Sequence, residues 1–424
     1  MSTPKGAAEV VARLIAEAGY DLPVRLRAWD GSEAGPADAP VLVARSPRAL
    51  QRILWRPGEL GLARAYVSGD LDVEGDLTDA LRRARAATRG ARAHVLPATL
   101  PATLPATLAA VRAATWLKLL APPPEPPRCE LKVRGRRHSR ARDQAVIAGH
   151  YDLPAAFYRL ILDPSMAYSC AYWDGAGPQS PQTRDLATAQ RAKLDLICRK
   201  LALGPGRDLL DLGCGWGSLT IHAAAARVTV TAVTLSREQG GYVRQRARGL
   251  GLGPKTPEVR IQDYRDPLDA TTEDGRFDAI ASVEMGEHVG AARYPGFCAA
   301  LYDKLRPGGR LLIQQMSRGG RAPGGGPFIE SYIAPDMDMR PVGDTITLIQ
   351  GAGFEVIGVE AMREHYVRTI RAWLDNFERN LPAVTQILSA EQVRVWRLYL
   401  TGGAVAFEQG RMGVDQILAV RPAR

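Results

Sequence analysis

The sequence predicts an α/β fold with a mostly parallel central sheet, preceded by a small α+β domain. Three observations predict it. From about residue 185 onward, apolar strand-like runs alternate with helical patterns. The first of these runs, LLDLGCGWGSL (209–219), leads from an apolar strand through an acidic residue into three alternating glycines. Ahead of it, the proline-rich stretches LPATLPATLPATL and APPPEPP separate the chain into an N-terminal and a C-terminal part.

Taken in order, MSTPKGAAEVVARLIAEAG has the apolar spacing of an amphipathic helix and carries charges that a secretory signal would lack. The runs VRLRAW and APVLVA read as strands, ALQRILW as a helix and GELGLARAYVSGDLDVEGD as a loop, followed by a helix rich in Ala and Arg. Proline at every fourth position cannot sustain a helix, so 96–128 reads as a linker between a domain at 1–95 and one at 129–424. The second domain then alternates helix 184–202, strand RDLLDLG, helix SLTIHAAAA, strand VTVTAVTL, helix REQGGYVRQRARGLG and strands EVRIQDY and FDAIASVE. Helix YPGFCAALYDKL, a turn at RPGG and strand RLLIQQM follow, then strand FEVIGVEAM, two long helical stretches and the closing strand DQILAVRP. Such alternation implies right-handed crossovers, with ligands at the carboxyl ends of the strands. The helical insertions between 319 and 410 are candidates for a lid over that edge.

The chain has 424 residues, 24% of them charged, and a net charge of +10. Its mean hydropathy of −0.15 and the lack of an apolar run near 20 residues predict no transmembrane helix. Five scattered cysteines without metal-ligand spacing suit a reducing cytoplasm and predict no metal site. The positive charge gathers at Arg82, Arg83, Arg85, Arg89 and Arg92 and again at Arg134, Arg136, Arg137, Arg140 and Arg142. These runs suit an anionic membrane surface or nucleic acid, and equally a solvated face.

Four clusters fall at the ends of successive strands, where the topology would gather them. Asp211, Gly213, Cys214, Gly215 and Gly217 form the glycine turn, whose spacing departs from the dinucleotide fingerprint. Thr234, Ser236 and Gln239 lie in TLSREQ. Gln262, Asp263 and Tyr264 follow EVRI, where a carboxylate could accept from a purine amine and a ring could pack on the base. Glu284, Glu287 and His288 lie in SVEMGEHVG. Each cluster alone also fits a helix cap or a surface loop.

Together with GHYDLPAAFYRLILDPSMAYSCAYW (149–173), RPGGRLL, HYVRTIRAW and FEQGRMGVDQILAVRP, these motifs give residues 149–424 a resemblance to the cyclopropane-fatty-acyl-phospholipid synthase family. GLARAYVSGDLDVEGD is more loosely similar to that family's extra lipid-interacting domain. The resemblance implies a Rossmann-like class I methyltransferase domain with a seven-stranded sheet. It implies S-adenosylmethionine (SAM) as cofactor, and an isolated cis double bond of a phospholipid acyl chain as acceptor. By that analogy Tyr168, Ser169, Asp211, Gly213, Cys214, Gly215, Gly217, Thr234, Ser236, Gln239, Gln262, Asp263 and Tyr264 hold the cofactor. Cys170, Glu287 and Tyr366 match positions that bind bicarbonate, the proposed base. A homodimer and a peripheral place on the inner face of the cell membrane are implied as well.

The chemistry itself asks for an alkene aligned with the methyl donor, exclusion of water, and aromatic faces for a carbocation. Among Tyr168, Tyr172, Trp173, Tyr264 and Tyr366, the first and last are the candidates.

Two positions depart from the family pattern. Gln314 stands where cyclopropane-forming members carry a histidine, and Glu284 adds a carboxylate three residues before Glu287. Both disfavour a bound anion, or raise the pKa of one carboxyl toward that of a general base. The expected product is therefore a 10-methylene acyl chain made from an oleoyl group, as in the tuberculostearic branch. A separate flavin- or NADPH-dependent reductase would complete it. Cyclopropane formation is the alternative. A nucleic-acid methyltransferase is the more distant one: its D/N-P-P-Y/F motif is absent, so no nucleic-acid partner is expected.

Overall fold

In the computed structural model, the described residues are 6–17, 19–90, 115–117, 119, 121–151, 153–173, 185–253, 257–270, 274–319 and 324–423. The LPAT repeat and Arg92 lie outside them. The chain forms two compact units, one of residues 1–130 with 388–405, the other of 131–387 with 406–424.

The first unit has a four-stranded sheet of β1 (Arg25–Arg27), β2 (Glu33–Ala34), β3 (Val41–Ala44) and β4 (Leu71–Glu74), in the order β2-β1-β3-β4. Only β1 and β3 run parallel. Helix Ala7–Glu17 and buried Leu26, Ala44, Ala49, Ala65 and Leu71 make its core. The stretch expected to be a loop instead holds helix Glu59–Val67 and strand β4. Its glycines mislead because Gly61 serves packing: a Cβ there would lie 2.1 Å from the Arg56 carbonyl and 2.8 Å from that of Arg52, at the end of helix Pro47–Trp55. Helix Ala390–Glu408, read from sequence as part of a lid, contributes residues 390–405 to this unit. There Arg394 lies over the Tyr66 ring at 4.1 Å and donates to Leu71 O and to Asp72, at 2.7 and 3.1 Å.

The second unit is built on a seven-stranded sheet: β5 (Asp208–Leu212), β6 (Thr229–Thr234), β7 (Glu258–Ile261), β8 (Phe277–Val283), β9 (Leu305–Ser317), β10 (Glu355–Ala361) and β11 (Gly413–Val420). The order is β10-β11-β9-β8-β5-β6-β7, with β11 antiparallel to both neighbours and the remaining pairs parallel. Helices cover both faces, which is why β5 is buried at every position and reads as a continuous apolar run around its two aspartates.

The predicted turn at RPGG is absorbed into β9, with a register shift opposite Phe277 and Ala279. Helix Val342–Gly351, within the segment assigned to a lid, buries Ile349 in the sheet's core with Ile417 and Phe354 and so acts as a crossover helix. Paired positions place Val283, Gln314, Gln416 and Glu360 in one row across β8, β9, β11 and β10. This row ends at the site described next.

Candidate active site

A pocket opens at the carboxyl ends of β5, β6 and β8, where a doubly wound sheet presents its loops. It is lined by Tyr168, Ser169, Asp211, Gly213, Cys214, Gly215, Thr234, Gln239, Gln262, Tyr264 and Glu284 among the residues expected from sequence. Three cofactor candidates are not in its lining, and each has a structural task. Gly217, at φ 79°, leads into helix Ser218–Ala225, and a Cβ there would strike Val243 at 2.6 Å. Ser236 caps helix Arg237–Gly249 by accepting from Gln239 N at 3.2 Å. Asp263 turns both carboxylate oxygens to Arg265, at 2.6 and 2.5 Å. Burial would raise its pKa, but the guanidinium outweighs burial and holds it below the usual range.

The pocket also contains groups that sequence reasoning passed over. Lys193 is fully buried on helix Leu186–Lys200 and donates to Ser169 Oγ at 2.9 Å. Burial lowers its pKa while Glu284, Asp163 and Asp211 resist that change. The periodicity held a signal for it, because Gln190, Lys193, Leu194 and Ile197 fall at i, i+3, i+4 and i+7 on one stripe. Trp216 lines the pocket too, as does His288, which the sequence places in the cluster SVEMGEHVG. Burial depresses the imidazole of His288 to about 4, so it is neutral. Asp211, buried and accepting from Thr220 Oγ1 at 2.6 Å, has its pKa pushed up to about 6 by burial.

Beside the pocket, Glu284 follows the last residue of β8 with φ 53°, a left-handed conformation that costs a non-glycine residue about 1 kcal/mol or more. This conformation directs its carboxylate to three donors. Oε1 accepts from Cys170 N at 2.8 Å and Gln314 Nε2 at 2.9 Å, and Oε2 accepts from the Tyr366 hydroxyl at 2.6 Å. Burial raises its pKa, opposed by these hydrogen bonds and by Lys193.

Glu287 is placed differently. Its Oε1 accepts from Met316 N at 2.6 Å, and its Oε2 is buried with no hydrogen-bond partner among the described residues. Burial and the nearby Glu284 push its pKa up to about 8, so it is a neutral acid at pH 7. Burial likewise raises the Cys170 thiol well above its ordinary value, which rules out a resident thiolate.

The bicarbonate cradle implied by the resemblance therefore does not fit. The Cys170 amide, the Tyr366 hydroxyl and Gln314 already serve the protein's own carboxylate, and Glu287 hydrogen-bonds elsewhere.

Aromatic rings continue the wall. Tyr168 packs on Tyr158 at 5.5 Å and Trp373 at 5.2 Å, Tyr158 on Trp216 at 5.1 Å, and Tyr366 on Phe407 at 4.6 Å and Trp373 at 6.0 Å. Tyr172 stacks instead on His365 at 4.7 Å, and Trp173 Nε1 donates to Thr369 at 3.0 Å.

Comparison with known proteins agrees with this geometry. Residues 138–417 match the model of the mycolic acid cyclopropane synthetase family. The chain belongs to that family. It is 36% identical over 409 residues to a probable fatty acid methyltransferase of Pseudomonas putida, covering 95% of this chain and 92% of that protein. It is 32% identical over 425 residues to the tuberculostearic acid methyltransferase UfaA1 of Mycobacterium tuberculosis, covering 98% of this chain and 91% of that one. The solved structure of mycolic acid cyclopropane synthase CmaA1 complexed with SAH and CTAB matches with a TM-score of 0.57 at 29% identity, over 65% of this chain and 98% of that one.

The protein is thus a SAM-dependent methyltransferase of class I fold. Its pocket suits that cofactor: a Cβ on Gly215 would meet open space within it, leaving room for a ligand against the backbone, and hydroxyl, amide and carboxylate groups ring an otherwise apolar chamber.

Proposed function

We propose that this enzyme methylates the cis double bond of an oleoyl-type acyl chain in a membrane phospholipid and gives a 10-methylene product. The single observation that carries the reading is the carboxylate of Glu284, held by Cys170 N, Gln314 and Tyr366 beside the cofactor pocket. The coarser activity, one-carbon modification of a lipid acyl chain, follows from the family and its fatty acid methyltransferase relatives.

Within the pocket Gly213, Gly215, Asp211, Ser169, Thr234, Gln262 and Tyr264 would hold SAM, which supplies an electrophilic methyl group when bound. The rings of Tyr168, Trp373 and Tyr366 keep water out and face the positive charge that develops on the alkyl chain. After the C–C bond forms, a 1,2-hydride shift moves the cation to the branched carbon. Glu284 then takes a proton from the new methyl group, whose C–H electron pair becomes the exocyclic double bond. Tyr366 and Gln314 hold the carboxylate in place for that transfer. The UfaA1 relative favours this product, and a reductase of the flavin or NADPH class would saturate it.

A cyclopropane ring is the second reading, favoured by the name of the matching family. It arises if the same base removes the proton as the ring closes. Incubation with SAM and dioleoyl phosphatidylglycerol vesicles decides between them: vinylidene protons in the product's NMR spectrum support the proposal, and upfield ring-methylene signals overturn it.

Access to an acyl chain requires the protein to sit on a bilayer, and no helix among the described residues is long and apolar enough to cross one. Exposed Leu54, Trp55, Leu62 and Trp116 of the first unit suit an interfacial layer. The second arginine run is less available than its sequence suggests. Arg137 and Arg142 pair with Asp336, and Arg140 pairs with Asp266.

A further inference from the structure

We propose that Lys200, at the far end of a side-chain chain running through β11 and β9 to the end of β8, is a positioning residue that keeps Glu284 ionised by fixing which way two buried amides point. The inference rests on the reading of Glu284 as the base. It begins with the row already described, in which Gln314 on β9 is paired with Gln416 on β11, and Gln416 with Glu360 on β10. Lys200 Nζ donates to Gln416 Oε1 at 2.7 Å, Gln416 Nε2 donates to Gln314 Oε1 at 2.9 Å, and Gln314 Nε2 donates to Glu284 Oε1 at 2.9 Å. Gln314 and Gln416 are almost wholly buried, so neither can turn to water for a missing partner.

The direction of the chain follows from what each group can do. An ammonium only donates, so Lys200 draws the oxygen of Gln416 toward itself and leaves the Gln416 NH₂ facing Gln314. That NH₂ in turn draws the oxygen of Gln314, which leaves the Gln314 NH₂ facing Glu284. An ionised carboxylate only accepts and so takes all three donors, whereas a protonated Glu284 would have to turn an Oε2 hydroxyl to Tyr366 and lose that donation. With Lys200 absent, both amides can reverse and present an oxygen to Glu284, an arrangement that suits a protonated carboxyl. Lys200 is itself fixed by Glu360 Oε2 at 2.5 Å and lies at the edge of the buried region, one-fifth exposed.

The other groups facing Glu284 do not supply this control. The Tyr366 hydroxyl donates to it yet can also accept, Cys170 N is a fixed backbone donor, Lys193 acts through space, and Glu287 is a neutral acid whose Oε1 is turned to Met316 N. The two amides have an orientation that a distant charge can bias, in the same sense as the longer contact from Gln314 Nε2 to Cys170 O at 3.4 Å.

The experiment is the pH profile of kcat/KM for the purified full chain with SAM and dioleoyl phosphatidylglycerol vesicles. Lys200→Met should raise the midpoint of the acid limb by about one pH unit, as losing one hydrogen bond to a carboxylate implies. Lys200→Arg, which restores a donor-only cation, should return it to the wild-type position. Gln416→Met breaks the same chain at its centre and should give the same upward shift; it stands in if Lys200→Met does not fold. A folded Lys200→Met or Gln416→Met enzyme whose acid limb coincides with the wild type overturns the proposal. Glu284→Gln separates the two readings. If it is inactive while the limb of the other variants stays put, only the amide chain fails; if it retains wild-type turnover, the base reading fails and this inference with it.

Discussion

At the level of single residues, the site turns on two carboxyl groups three positions apart that the fold treats in opposite ways. Glu284 is strained, donated to by three groups and beside the pocket; Glu287 is buried, neutral and turned to a backbone amide. Replacing Glu284 with Gln removes the proton acceptor while keeping the shape, and should lower turnover by about 10²- to 10⁴-fold with SAM affinity retained, as read by calorimetry. Replacing it with Gly relieves the left-handed backbone and empties the carboxylate's place. That variant should recover measurable turnover when bicarbonate or formate is added, and none without.

Glu287 gives a stability prediction. Its folded pKa of about 8 lies above the ordinary 4.5, so the folded chain binds a proton that the unfolded chain has released between those values. Its contribution is complete below about pH 4.5 and fades as pH rises through about 8. A plot of Tm against pH should therefore decline across that window in the wild type, and the Glu287→Gln variant should lose that part of the decline.

At the level of elements, strand ends deliver the chemistry, and helix starts and helix packing account for several residues of the glycine-rich stretches and caps. Gly217 and Ser236 start helices, and Gly61 lets helix Glu59–Val67 approach the end of Pro47–Trp55. Gly61→Val should destabilise the first unit by about 1–3 kcal/mol, measured as a shift in its denaturation midpoint, because backbone carbonyls cannot yield to the new atoms. Thr220→Val should raise the Asp211 pKa further, by removing a hydroxyl that donates to this buried carboxylate.

At the level of the whole molecule, the chain returns to its first unit after completing most of its second. Residues 388–405 belong with 1–130, and Arg394 is held there by Tyr66, Leu71 and Asp72. Arg394→Leu should cost about 1.5–3 kcal/mol in the unfolding of that unit, the worth of hydrogen bonds from a charged group. Attachment to anionic vesicles should weaken with rising ionic strength, checked by flotation, in proportion to the share that charge contributes.

The alternation of strands and helices, the glycine turn and most of the pocket lining were legible in the sequence. Periodicity and strand-end position are local properties, and the topology that gathers strand ends follows from a parallel sheet. Tertiary structure alone decided which of Glu284 and Glu287 meets Cys170 and Tyr366, and that Lys193 donates to Ser169 and Lys200 to Gln416. The partners of the Glu284 carboxylate come from three separate stretches of chain, and the direction of a hydrogen-bonded row exists only once strands distant in sequence lie side by side.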